Sequence, residues 1–276
     1  MGSHTYCANL WQIRRAAIAD GQPQGNATRM TLILTAMTRR SVIQVADMRL
    51  TNVRTGKVED EATAKMVAYA GRFVLSFAGP ASMGREPTAR WMARVLSGVH
   101  DPGEIFAALG ESAGRIVRQY PPNIRGLAIV GAGWSGEPGR PEPTYIQLTN
   151  FDFESGALLP GFRASRVELK PNEKVLLLSA GVPLPETRVS EVQQLMRRRA
   201  GRREERPAEF VAMMLRLARS VAIGRRTVGT RFLVASIPGV RLSEEPPRFT
   251  TGIAVPTGSS DWYQVTDLDH GQMPVG

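Results

Sequence analysis

The 276-residue sequence holds one cysteine, Cys7, and three widely separated histidines, His4, His100 and His270. A lone cysteine makes neither an internal disulfide nor a cysteine-rich zinc site, and no histidine pair stands at a ligand spacing such as H-E-x-x-H. No metal and no cofactor is therefore expected. Other groups able to do chemistry gather in one stretch: Thr31 opens an aliphatic run, Asp47 and Arg49 close the next, Lys65 opens a third, and Gly79 precedes Pro80. Each also has an ordinary structural reading. Thr31 suits a strand start, Asp47 and Arg49 two apart on a strand share a face and can brace a turn, Lys65 suits a solvated strand edge, and Gly79-Pro80 suits a turn. The densest charge, RRRAGRREER at Arg197–Arg206, suits a solvated helix end or an attraction for phosphate backbones and acidic surfaces.

Thirty-five basic against 25 acidic residues give a net charge of +10, and 42% hydrophobic residues give the balance of a folded chain. The longest apolar runs, such as Val175–Val182, fall far short of the roughly 20 residues that span a bilayer. The first residues have no signal-type apolar segment ahead of their arginines, so a cytoplasmic protein with no membrane contact is expected.

Positioning these groups requires a regular scaffold, and the apolar pattern supplies one. Met30–Thr38 and Val42–Leu50 read as two strands around a tight turn, and KMVAYA and RFVLSFAG, split at Gly71-Arg72, as a second hairpin. From Pro87 the period becomes helical, through Ala89, Met92, Ala93 and Leu96, then Ile105, Leu109, Ala113 and Val117, until Pro121-Pro122 stops it. Strands are expected at Gly126–Trp134, Thr144–Asn150 and Lys174–Ala180, helices at Val189–Arg199 and Ala208–Ile223, and a last strand at Thr230–Ile237. Helix pairs between groups of antiparallel strands predict a layered α+β domain.

The stretch TLILTAMTRRSVIQVADMRLT, Thr31–Thr51, resembles the opening of proteasome-type subunits. Thr31 and Asp47 stand sixteen positions apart, the spacing this family uses between its nucleophilic threonine and its aspartate. Lys65 in KMVAYA is similar to the family's lysine opening the next strand, and FAGPA at Phe77–Ala81 to the turn closing that hairpin. The resemblance implies a four-layer α-β-β-α sandwich of two antiparallel sheets flanked by helices, at residues 30–240. Residues 1–29 would be a leader or assembly helix, with ANLWQIRRAAIA at Ala8–Ala19 amphipathic, and 241–276 a tail.

It further implies an N-terminal-nucleophile hydrolase. Removal of the leader exposes the Thr31 α-amine, which titrates near roughly 7.7–8.0 and can serve as base for the Thr31 hydroxyl. Lys65 favours the deprotonated oxygen, Asp47 fixes the ammonium, and the Gly79 N–H faces the oxyanion. A peptide or amide is the implied substrate and a ring of like subunits the implied assembly. The sequence departs from the family at Met30, where self-processing members usually carry glycine, and at Gly224–Thr230, where Thr227 is the nearest match to an expected aspartate and serine. Extra residues around Thr55–Glu61 lengthen the loop before Lys65. A second reading is therefore a non-catalytic proteasome-like subunit or scaffold that keeps its N-terminal extension. Nucleic-acid binding through the arginine run ranks last, because no helix-turn-helix, RNP-like or zinc motif accompanies the charge.

Overall fold

Two segments joined by Arg39-Arg40 turn no side toward solvent: Leu32–Thr38 (β1) and Ser41–Asp47 (β2) are buried at every position. A strand buried on both faces needs a cover on each, and the two covers here differ. Leu32, Leu34, Ala36, Ile43 and Val45 face a helical layer, whereas Ile33, Met37, Val42 and Ala46 face a second sheet. The Thr38 hydroxyl accepts the N–H groups of Arg40 and Ser41 at 3.0 and 2.9 Å, which closes the turn. The computed structural model describes residues 31–51, 57–69, 72–99, 102–136, 141–152, 157–182, 184–200, 206–225, 227–239, 248–249 and 263–265.

Two short strands, Leu50–Thr51 (β3) and Val58–Asp60 (β4), lead to a second hairpin, Met66–Tyr69 (β5) and Phe73–Ala78 (β6). A small ladder of Ser82–Met83 (β7) and Glu86–Pro87 (β8) opens onto helices Thr88–Leu96 (α1) and Ile105–Val117 (α2). Ala128–Ser135 (β9), Glu142–Phe151 (β10), Leu158–Glu168 (β11) and Val175–Gly181 (β12) come next, then helices Glu186–Arg199 (α3) and Pro207–Gly224 (α4). Phe232–Pro238 (β13), Arg248–Phe249 (β14) and Tyr263–Val265 (β15) complete the described elements. One sheet runs β12-β1-β2-β13-β14 and the other β11-β10-β9-β6-β5-β15. Every pairing is antiparallel except β15 on β5.

Three apolar cores bind four layers. Trp91, Met92 and Leu109 of α1 and α2 pack on Leu75, Phe77 and Ile129 of the second sheet. Phe210, Met214 and Leu217 of α4 pack on Leu34, Val45 and Phe232 of the first. Between the sheets lie Met66, Val74, Val130, Trp134 and Leu233. The architecture is the α+β, four-layer α-β-β-α sandwich, with its sheets face to face and its helices outside. A polar thread crosses the middle: Ser76 donates to Gln44 Oε1 at 2.6 Å, and Gln44 Nε2 donates to Thr35 Oγ1 at 3.3 Å. The Gln44 amide thereby links the two sheets and is paired at both its oxygen and its nitrogen.

The sequence reading missed β11. Its residues, LLPGFRASRVE, are mostly exposed on an edge, so the strand buries too little apolar surface to announce itself. Helix α3 also begins at Glu186 rather than Val189, directly after Pro185. The leader 1–29, its Ala8–Ala19 helix, and Arg202 and Arg203 of the arginine run lie outside the described residues, as does most of 241–276. Among the described residues, no helix is long and apolar enough to cross a membrane, and no group of His, Cys, Asp or Glu is placed to hold a metal.

Candidate active site

Thr31 immediately precedes β1, and its carbonyl accepts the Val182 N–H at 3.3 Å from the end of β12. Lys65 immediately precedes β5 in the other sheet, held there by the Phe77 N–H donating to its carbonyl at 3.3 Å. The sandwich thus brings together two strand starts that are 34 residues apart. Lys65 Nζ donates to Thr31 Oγ1 at 2.8 Å and to the carbonyl of Arg49, and it lies 3.6 Å from Asp47 Oδ1. At 2% exposure Lys65 is not a solvated edge residue; its ammonium is spent on three oxygens.

Asp47, fully buried at the end of β2, is anchored from two sides. Oδ1 accepts the Leu32 N–H at 3.0 Å, and Oδ2 accepts the Gly229 N–H at 3.1 Å. Gly229 is a site residue that the sequence reading passed over, because a backbone N–H leaves no trace in side-chain type. A Cβ at that position would come within 2.8 Å of Arg49 Cβ, so only glycine lets the loop before β13 approach closely enough to donate. The alternative reading of Asp47 and Arg49 as a pair bracing the turn gives way to other partners for each. Strand β2 ends at Asp47, so the alternation that would set both on one face stops there. Arg49 instead makes a two-point pair with Glu61, Nε–Oε2 at 3.0 Å and Nη2–Oε1 at 2.9 Å. That pair and the Thr63 N–H bond to the Met48 carbonyl at 3.1 Å tie Glu61 and Thr63 to the segment after β2, and Lys65 reaches Thr31.

Burial disfavours the charged form of both partners. It pushes the Lys65 ammonium below the ordinary lysine value and the Asp47 carboxyl above the ordinary aspartate value. The attraction between Lys65 and Asp47 opposes each shift, helped at Asp47 by the Gly229 and Leu32 amides. A pH prediction follows from the lysine. The unfolded chain binds this proton up to about pH 10.5 and the folded chain releases it earlier, so in the interval the unfolded state holds more protons and stability rises with pH. Relative to Lys65→Met, the parent should gain stability in urea melts between neutral pH and about pH 10. A gap that stays constant or widens against the parent would contradict the lowered titration.

Thr31, Lys65 and Gly79 open on a cleft of about 410 Å³, walled also by Leu50, Thr51, Pro80, Tyr120 and Ile124. Gly79 follows β6 with φ +146°, and the cradle behind it is tight: a Cβ would lie 2.6 Å from the Gly126 carbonyl oxygen. Thr227 lines the cleft too, while Val228 is buried beside it. All four sequence candidates are therefore accounted for. Thr31, Lys65 and Asp47 form one connected chain of contacts, and Gly79 stands on the same cleft.

No family model matches the chain, and no curated protein matches it. Solved structures share its fold. Anbu (ancestral beta-subunit) from Yersinia bercovieri superposes with a TM-score of 0.52 at 12% identity, covering 81% of this chain and 89% of that one. An Anbu (Gly-1) mutant from Hyphomicrobium sp. strain MC1 gives 0.51 at 13% identity, covering 81% and 88%. At such identity the likeness is one of architecture, and it places this four-layer sandwich with that of the ancestral beta-subunit.

Proposed function

We propose that this chain is a proteasome-like N-terminal-nucleophile hydrolase of the cytoplasm that cleaves peptide or amide bonds with Thr31. The observation that carries this reading is the 2.8 Å hydrogen bond from the buried Lys65 ammonium to the Thr31 hydroxyl, with Asp47 behind it. A positive charge at that distance favours the alkoxide over the alcohol. Once cleavage before Thr31 frees its α-amine, that amine takes the hydroxyl proton as Oγ1 attacks the substrate carbonyl. The same proton passes to the leaving amine as the C–N bond breaks, which leaves an ester on Thr31. Water then attacks the ester, giving up a proton to the amine, and as the bond to Oγ1 breaks that proton passes to Oγ1, which releases the acid and restores the Thr31 hydroxyl. The Gly79 N–H supplies an oxyanion donor, a role worth roughly 2.7–4 kcal/mol in other acyl-transfer enzymes. Like subunits closing into a ring complete the proposal.

A non-catalytic subunit is the second reading, favoured by the loop before β13. There the sequence Gly224–Thr230 offers Thr227 and arginines where an acid and a serine are expected, and Thr227 lines the cleft. Intact mass and covalent labelling separate the two. The enzyme gives a chain beginning at Thr31 that is acylated by a β-lactone at that residue. Thr31→Ala should abolish labelling and any hydrolysis, yet leave the chain folded, at a cost of about 3 kcal/mol, because the donor that loses its acceptor is the buried Lys65 ammonium, which keeps the Arg49 carbonyl and Asp47. A full-length chain that never labels removes the catalytic reading.

A further inference from the structure

The cleft has a wall whose position is set from outside it. After Gly79 the chain runs through Pro80 and Ala81 into the β7–β8 ladder, where Ser82 pairs with Pro87 and Met83 with Glu86. Two pairs make a weak ladder, and because the Thr88 N–H bonds Ala81, the next pair, Ser82 with Pro87, is the non-hydrogen-bonded one, which leaves the Ser82 carbonyl pointing out of the ladder. Its donor comes from just beyond α2: the Tyr120 hydroxyl donates to the Ser82 carbonyl at 2.9 Å and accepts the Gly84 N–H at 2.6 Å. Ser82, Gly84 and Tyr120 all line the cleft. The near end of the same wall is fastened separately, by Thr88 Oγ1 donating to the Pro80 carbonyl at 2.6 Å and the Thr88 N–H to Ala81 at 2.9 Å.

Tyr120 is itself held. Its ring is half-buried against the core under α1 and α2, its carbonyl accepts from Arg125 Nε, and Pro121-Pro122 stiffen the chain beyond it. Gly84 shows why a clamp matters at the tip. With φ +68° and nothing within 4 Å of a would-be Cβ, Gly84 itself packs on nothing, while Met83 beside it is buried in the core under α1 and α2 and Glu86 pairs with Arg94. The Tyr120 hydroxyl, donor to one strand and acceptor from the turn, therefore fixes the Ser82–Gly84 tip of this wall on the side of the cleft.

We infer that Tyr120 is a positioning residue for the substrate: by holding the Ser82–Gly84 wall it sets the seat of an extended peptide beside Thr31, and takes no part in the acyl transfer itself. The inference rests on the reading of Thr31 as nucleophile. It differs from a purely structural clamp in one respect, since a structural clamp affects all acylating reagents alike whereas a seat matters to those long enough to occupy it.

The test compares two probes on the purified protein and on Tyr120→Phe, which keeps the ring and removes both hydrogen bonds: a small alkyl β-lactone and a tripeptide vinyl sulfone. Labelling of Thr31 is followed by intact mass and peptide mapping. Loss of two hydrogen bonds should lower the ratio of tripeptide to lactone reactivity about tenfold, through weaker saturation by the tripeptide rather than a slower limiting rate. An unchanged ratio with normal labelling of the parent overturns the role of Tyr120 while Thr31 stands as nucleophile. Failure of the parent to label with either probe overturns the nucleophile, and with it the seat.

Discussion

Gly79→Ala is expected to destabilise the protein by about 2–6 kcal/mol, combining roughly 1–3 for an L-residue held in a backbone region it rarely adopts with roughly 1–3 for overpacking. Both terms have a named cause. The φ of +146° suits glycine, and an added Cβ would meet the Gly126 carbonyl oxygen at 2.6 Å and Leu127 Cα at 3.0 Å. Those atoms are backbone, and they cannot yield easily. Ala78 is paired with Ala128 in the β6–β9 ladder, and the segment before β9 is tied by Asn150, whose Oδ1 accepts the Leu127 N–H at 2.8 Å and whose Nδ2 donates to Arg125 at 2.9 Å. Gly84→Ala is the control. It too has positive φ, but open space around the Cβ leaves only the conformational term, about 1–2 kcal/mol. Urea melts of both variants check the pair, and equal losses would show that the cradle behind Gly79 is looser than its distances imply. In the proposed enzyme, any shift that relieves the clash also moves the Gly79 amide, so acylation of Thr31 should fall by about 10²–10³ in whatever Gly79→Ala protein folds.

The parts of this site that the sequence displays are those that leave a mark on residue type. Strands β1 and β2 are covered on both faces, so they read as unbroken apolar runs, and the turn residues between them stand out. Gly79 is visible because a glycine before Pro80 ends a strand. What stays hidden are relations made by backbone groups or by breaks in regularity. The Gly229 N–H on Asp47 is one, and the partner of Arg49 is another. Alternation along β2 predicts Asp47 beside Arg49, but the strand ends between them and the guanidinium turns to Glu61. Lys65 illustrates a third limit. A lysine at a strand start is ordinarily solvated, and only the first sheet packing across it, with Thr31 34 residues away in the sequence, makes it a buried cation. Edge strand β11 was illegible for the opposite reason, having too little buried surface to impose a period.

Lys65 and Asp47 should behave as one unit under mutation. Lys65→Met leaves the Asp47 carboxylate at zero exposure with two backbone N–H groups but no cation, and breaking a buried pair from one side costs roughly 3–5 kcal/mol. Asp47→Asn leaves the ammonium buried without its counter-charge and turns an amide NH₂ toward either the Leu32 or the Gly229 N–H, so it too should be strongly destabilising. The double variant removes both charges together. Its loss should be smaller than the sum of the single losses by about 2 kcal/mol, within the usual range for contacting residues. Arg49→Met supplies the contrast: its ion pair with Glu61 is partly open to solvent, and breaking that pair should cost only about 1 kcal/mol. Strict additivity of the Lys65 and Asp47 losses would mean that their 3.6 Å separation carries no coupling. The ammonium would then be held chiefly by Thr31 and the Arg49 carbonyl, and Asp47 would serve only to pin the Leu32 and Gly229 amides. Acylation rates measured on the same variants decide what the coupling is for, because an ammonium that promotes attack by Thr31 is lost in both Lys65 variants and retained, with a lowered proton affinity, in Asp47→Asn.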